Sequence, residues 1–178
     1  GALCVACDKP SLQPLIQGGT GSRSDTEYHP DFYPDRLEAG TLNTVGIVGL
    51  KAGLKFVSEN GVEVIHEQQK ALANRFIDGL IEIPHVEIHR GFKSLLQVGV
   101  VSLNVKGMTS SDLAFELDNN FGILVRAGLH CAPLTHKFLG TFPTGSVRFS
   151  FGCFNTADEV DETLRALQII CSDKNISL

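Results

Sequence analysis

Long apolar runs, basic clusters and dense cysteine are all missing from this 178-residue sequence. No uncharged stretch approaches the roughly 18 apolar residues that a membrane-spanning helix needs, so no helical membrane protein and no membrane partner is expected. Lysine and arginine number 15 against 20 acidic residues, for a formal net charge of -5. A nucleic-acid-binding face needs clustered basic side chains, and nucleic acid is therefore not expected as a partner. The five cysteines, Cys4, Cys7, Cys131, Cys153 and Cys171, are odd in number and too sparse for a disulfide scaffold. They fit a reduced, cytoplasmic protein. Residues 1–5 carry no basic n-region and no small-residue cleavage pattern, so no signal peptide is expected there. What is present suffices for a core. Hydrophobic residues make up 43% and charged residues 20%, too little charge for a disordered chain.

The chain opens abruptly. Residues 1–6 read as a buried strand already under way, as if cut from something longer. Residues 9–34 then form a long polar loop with Gly18-Gly19-Thr20-Gly21-Ser22 and no period, and a loop of that length is functional or disordered. Residues 42–57 are apolar almost all round, with Gly46, Gly49 and Gly53 on one face, which predicts a buried helix close to another backbone. Val62, Ile65, Leu72, Phe76 and Leu80 recur at helical spacing, and Pro84 follows the end of that pattern. Residues 85–89 and 98–105 read as strands. Thr109 and Asp112 predict the start of a short helix, and residues 123–125 and 147–151 predict two more strands. Thr156 and Glu159 cap a final helix carrying Val160, Leu164, Leu167 and Ile170. The class is mixed α and β, with no internal repeat and no low-complexity segment.

Chemistry concentrates in three places. In Arg126-Ala127-Gly128-Leu129-His130-Cys131-Ala132-Pro133, a thiol is reactive as the thiolate, which nearby positive charge favours. Arg126 and His130 are candidate sources of that charge, and Gly128 permits an exposing turn. The other reading of Cys131 is a small buried hydrophobe. Arg148 lies in the strand Ser146-Val147-Arg148-Phe149-Ser150, where a guanidinium could clamp a carboxylate or simply face outward. Gly18 to Ser22 and Gly40-Thr41 offer amides and hydroxyls of the kind that cradle phosphate, and Thr41 precedes a helix N-terminus. Neither segment matches a Walker A or dinucleotide fingerprint. Cys4 and Cys7 form a lone C-x-x-C, and His66 and His136 have no partner at ligand spacing, so no metal is expected.

Taken together, three segments resemble one family. They are Leu37-Glu38-Ala39-Gly40-Thr41-Leu42-Asn43-Thr44, the Arg126 to Pro133 stretch, and Ser146-Val147-Arg148-Phe149-Ser150 followed by Phe154-Asn155-Thr156, Glu159 and Asp161. The resemblance is to the class V aminotransferase-like, pyridoxal-phosphate-dependent cysteine desulfurases, the group that includes selenocysteine lyases. It covers nearly the whole chain, in order. It implies the C-terminal part of a type I pyridoxal-phosphate transferase, with an α+β small domain carrying an antiparallel sheet and flanking helices. The expected division is residues 1–41 as the end of the large cofactor-binding domain, 42–58 as a connecting helix, and 59–178 as the small domain.

The resemblance also implies roles. Cys131 would accept the sulfur of L-cysteine as a persulfide, and Arg148 would bind the substrate carboxylate. Arg126 and His130 would support the thiol. Gly19, Thr20, Gly40 and Thr41 would contact the cofactor phosphate of a partner subunit in a homodimer. A separate sulfur-acceptor protein, and through it iron–sulfur cluster assembly, would take the sulfur on. The family's cofactor-bearing lysine lies in a His-Lys segment shortly before the strand that begins here at Gly1, and the aspartate that pairs with the pyridinium nitrogen lies further upstream. Neither is in this sequence, and Lys9 does not fit the motif. Other expectations on the same fold are a selenocysteine lyase, a C–S lyase, an epimerase or a transaminase. A non-catalytic fragment or interaction module is the alternative of a different class.

Overall fold

The computed structural model describes residues 1–6, 12–89 and 98–173. Cys7, Lys9, Lys93 and Lys174 lie outside the described residues, and the expected C-x-x-C falls there in part. The chain divides into two compact units, Gly1–Asn60 and Gly61–Leu178.

In the second unit, α2 (Val62–Leu80) presents Leu72, Ala73, Phe76, Ile77 and Leu80 to the core, as its spacing predicts. It leads into β1 (Val86–His89) and β2 (Val100–Val105). Helix α3 (Ser110–Phe121) starts at Thr109, whose hydroxyl accepts from the amide of Asp112 at 3.1 Å, and it stops at Gly122 in the left-handed region, φ 66°. Then come β3 (Arg126–Gly128), a short α4 (Pro133–Phe138), β4 (Ser146–Ser150) and α5 (Ala157–Asp173). The amide of Thr156 donates to Glu159 at 2.9 Å, and the amide of Glu159 donates back to the Thr156 hydroxyl at 3.3 Å. That is the expected capping box.

The sheet runs β1-β2-β4-β3, antiparallel throughout. Alternation then sorts the side chains onto two faces. Val101, Leu103, Val105, Val147 and Phe149 point to the core, beneath the helices. Phe76 packs its ring on Phe149 and Phe151, with centroids 4.9 and 5.3 Å apart. The opposite face carries His89, Ser102, Asn104, Ser146, Arg148 and Arg126. This polar face positions the site.

The first unit is held differently. It contains a single 3-10 turn, Asp35–Leu37, and α1 (Thr44–Asn60). Its loop is pinned by side chains. One imidazole nitrogen of His29 meets the backbone of Gly18, and the other donates to the carbonyl of Arg36 at 3.0 Å. The Arg36 guanidinium pairs with Asp31 and donates to the carbonyl of Leu12 at 2.9 Å.

Four expectations are corrected. Residues 1–6 form no ladder and are exposed, because an apolar run becomes a strand only where another strand pairs with it. Helix α1 forms, but buries no residue; the described residues of its own unit do not cover its apolar sides. Among the described residues, Gly49 and Gly53 have open space where a side chain would be, and the three atoms nearest such a side chain at Gly46 all belong to the Asn43 side chain rather than to another backbone. The strand expected at 123–125 sits instead at Arg126–Gly128. Ile123 and Val125 pack against the core as a connector, while the ladder is made by backbone groups indifferent to side-chain polarity.

Candidate active site

Strand register brings the expected residues of the second unit together. Arg126 on β3 stands directly opposite Arg148 on β4, so both guanidinium stems leave the same face. Like charges directly opposite are unfavourable, and an anion placed between them would relieve the pairing. Arg148 is half-buried, and its Nε is buried with no hydrogen-bond partner. A buried donor left unpaired costs about 1–3 kcal/mol. A ligand carboxylate reaching that nitrogen would satisfy it.

The thiol sits at the end of the same row. Beyond Gly128 (φ 104°) the chain turns through His130 and Cys131, with φ of 53° and 61°. Two consecutive non-glycine residues in the left-handed region cost roughly 1–2 kcal/mol each. The turn is closed by the amide of Ala132 donating to the carbonyl of Leu129 at 2.8 Å. Cys131 is exposed, so it does not sit as a buried hydrophobe. Arg126 Nη2 donates to Cys131 Sγ at 3.6 Å. Cys171, by contrast, is buried, and burial pushes its thiol up.

His130 Nε2 meets Ser146 Oγ at 3.4 Å, and its Nδ1 is buried without a partner. Its ring lies 5.5 Å from that of His136. Burial first, then the charges of Arg148, His136 and Arg126, hold the imidazole below its ordinary value, against a smaller upward contribution from Ser146. That direction favours the uncharged imidazole over the charged one. His136 is buried, with Nδ1 2.7 Å from Thr141 Oγ1. No cluster of metal-ligating side chains occurs among the described residues.

The first unit brings its own expected residues together. The amide of Gly40 donates to the carbonyl of Gly19 at 2.7 Å, joining the two glycine segments. Gly18, Gly19, Thr20, Arg23, Tyr28 and His29 help to line a cleft of about 370 Å³. Thr41 is exposed two residues before Asn43, whose carboxamide accepts from the amide of Gly46 at 2.9 Å. Asn43, not Thr41, therefore caps α1.

Sequence reasoning missed Asn104, Gly145 and Thr141, which the fold places around the thiol loop. A lone asparagine in a strand pattern carries no signal of its own. Pro133 at the first turn of α4 was the legible cue for that helix.

The family model for class-V aminotransferases matches residues 1–163. The chain belongs to that family. A probable cysteine desulfurase of Pyrococcus abyssi is 39% identical over 161 residues, covering 87% of this chain and 38% of the relative. A cysteine desulfurase of Cronobacter sakazakii is 36% identical over 134 residues, covering 75% and 32%. Among solved structures, the apo cysteine desulfurase of Thermococcus onnurineus superposes with a TM-score of 0.74 at 36% identity, over 79% of this chain and 34% of that one. An Escherichia coli cysteine desulfurase in its S-sulfonic acid form gives 0.75 at 28% identity, over 88% and 38%. The fold is that of these enzymes, as the resemblance implied. This class-V chain spans well under half the length of the relatives it matches. No helix among its described residues is long and apolar enough to cross a membrane.

Proposed function

We propose that this chain is the sulfur-accepting C-terminal part of a cysteine desulfurase. The observation that carries the reading is the convergence on one sheet face of an exposed thiol, a guanidinium 3.6 Å from its sulfur, and a second guanidinium with a buried, unpaired nitrogen. Arg148 orients L-cysteine by its carboxylate. Cys131 attacks the substrate sulfur, the carbon–sulfur bond breaks with its electron pair left on carbon, and a proton added there completes L-alanine. Cys131 keeps the sulfur as a persulfide, and Arg126 stays within reach of the added negative charge. Pyridoxal phosphate, when bound, supplies the electron sink for that carbon.

The donors present fit the phosphate end of such a cofactor. Gly19, the Thr20 hydroxyl and Arg23 line one cleft, and the Gly40 amide, itself taken by the Gly19 carbonyl, ties the second glycine segment beside them. We assign Gly19, Thr20, Gly40 and Thr41 to that phosphate, in a homodimer whose partner subunit holds the cofactor. Residues 1–41 then belong to the cofactor-binding domain, 42–58 to a connecting helix and 59–178 to the small domain. A cytoplasmic location, a protein acceptor for the persulfide and a use in iron–sulfur cluster assembly complete the reading. A C–S lyase, epimerase or transaminase on this fold needs no exposed sulfur-accepting thiol, which is why Cys131 favours the desulfurase.

The test is Cys131→Ala in a full-length protein carrying this chain. Sulfide release from cysteine should vanish while the cofactor's absorption spectrum stays intact, and full turnover would sink the assignment. The 178 residues alone are expected to fold and to be inactive. Their lysines are Lys9, Lys51, Lys55, Lys70, Lys93, Lys106, Lys137 and Lys174, none at the position of the family's cofactor lysine. After addition of cofactor and borohydride, peptide mapping should find no single lysine labelled in full. One such lysine, together with turnover of cysteine, would overturn the expectation.

A further inference from the structure

The thiol loop rests on the turn formed by residues 141–146. Gly145 has φ of 76°, and a Cβ built on it would lie 2.2 Å from the carbonyl carbon and oxygen of Gly128. The two backbones touch there, at the root of the Cys131 loop. Ser146 adds the contact to His130, and the amide of His136 donates to the carbonyl of Ala132 at 3.2 Å. Whatever fixes residues 141–146 also fixes where Cys131 stands against Arg126.

Three hydrogen bonds fix the peptide groups on either side of Gly145, the first from Ser110 Oγ, which donates to the carbonyl of Thr144 at 2.8 Å from 34 residues away in sequence. The amide of Gly145 donates to the carbonyl of Thr141 at 2.7 Å, a contact internal to the turn. Its carbonyl accepts from Asn104 Nδ2 at 3.1 Å, and that contact comes from β2, 41 residues away in sequence. A carbonyl only accepts, so the amide nitrogen of Asn104 must face it, and Oδ1 must face the other way. Oδ1 lies 2.8 Å from His89 Nε2; an amide oxygen only accepts, so His89 carries its proton on Nε2. A directed chain results, His89 to Asn104 to Gly145, from β1 through β2 to the turn before β4. Nothing else on the polar face links the far edge of the sheet to the thiol loop among the hydrogen bonds described.

We propose that Asn104 is a positioning residue for Cys131: it ties residues 141–146 to β2, and through Gly145 and Gly128 that turn holds the strained His130–Cys131 pair in place. Left-handed non-glycine residues persist only where their surroundings over-determine them, and Asn104 supplies the tie from the sheet, beside the one that Ser110 makes to Thr144. Its catalytic meaning rests on the proposed role of Cys131. The positioning itself does not.

The test uses the 178-residue chain and Asn104→Asp. The substitution keeps size and the acceptor toward His89, but sets two acceptors face to face at Gly145. Amide hydrogen exchange should quicken about tenfold in peptides over 127–132 and 141–146, with peptides over α2 and α5 unchanged. Iodoacetamide labelling of Cys131, read by peptide mapping, should change in the same direction as in Arg126→Ala. The double variant should change by less than the product of the two. Exchange that rises equally everywhere, a loop that exchanges as before, or fully multiplicative labelling would each overturn the proposal. If Asn104→Asp does not fold, His89→Ala breaks the preceding bond of the chain and must show the same localised exchange. Uniform exchange there overturns it too. Because none of these readouts needs turnover of cysteine, failure of the desulfurase reading would appear only in the Cys131→Ala experiment.

Discussion

Helices α1 and α2 are nearly equal in length, 17 and 19 residues, and follow one another in the chain. Helix α1 is the more evenly apolar in sequence, yet buries nothing; α2 alternates charge with apolar residues and buries five. The difference lies in what each unit supplies. Residues 61–178 contain a sheet and helix α5, against which one face of α2 packs. Residues 1–60 are loop and helix, held by His29 and Arg36 rather than by a core. Apolar sequence states a need for cover; only the rest of the fold decides whether the cover is there.

The largest expected effect tests that contrast directly. Phe76 is fully buried between Phe149 and Phe151, so Phe76→Ala should cost about 3–5 kcal/mol in urea unfolding. Leu54 on α1 is 61% exposed, and Leu54→Ala should stay within about 0.5 kcal/mol. Equal costs would break the comparison. Next in size is Arg148, a charge that the second unit's own sheet holds half-buried. Lysine cannot reproduce the planar fork, and losing a charge-assisted bond costs roughly 1.5–3 kcal/mol. In a full-length protein carrying this chain, Arg148→Lys should raise KM for cysteine by about tenfold or more. Unchanged KM and kcat would make Arg148 merely structural.

A smaller effect sharpens the same contrast through pH. The imidazole of His130 titrates lower in the folded chain than its ordinary 6.5. Between those two values the unfolded chain binds the extra proton. Stability is therefore full above about pH 6.5, and falls as pH drops through that interval. The urea midpoint should decline on acidification below neutrality, and His130→Asn should flatten part of the decline. An identical pH profile in the variant would remove His130 as the cause. The smallest effect is at the surface. Arg75 and Asp161 join α2 to α5 at 2.6 Å, with side chains 51% and 39% exposed. The guanidinium holds the Asp161 carboxyl below its usual range, but the pair is open to solvent. Arg75→Ala should lower the urea midpoint only slightly, and less still at high salt, and a loss approaching that of Phe76→Ala would show the helix pair to depend on it.

Much of the second unit was legible in the sequence because its signals were local. The spacing of Leu72, Phe76 and Leu80, the Thr109 cap and the Thr156–Glu159 box each fix a helix without reference to the rest of the chain. Strands β1, β2 and β4 fell within one or two residues of their expected ends. Strand β3 did not. Apolarity marks burial, and Ile123 and Val125 are packed residues that make no ladder. The geometry around Cys131 was legible only as a set of residue types. That Arg126 faces Arg148 follows from register across 22 residues, and that Gly145 must stay bare follows from Gly128 lying against it. Neither is written in any short stretch of sequence.

Among the described residues, strand β3 ends the sheet and pairs on one side only, through three residues. An open edge of backbone donors and acceptors invites another chain to add a strand, and shortness and a charged side chain are two ways to discourage it. Arg126 is the exposed residue that starts this edge. The side chain that reaches Cys131 Sγ thus also discourages edge-to-edge association at this strand. An apolar replacement there would remove a contact to sulfur and at the same time offer neighbouring molecules a strand to join.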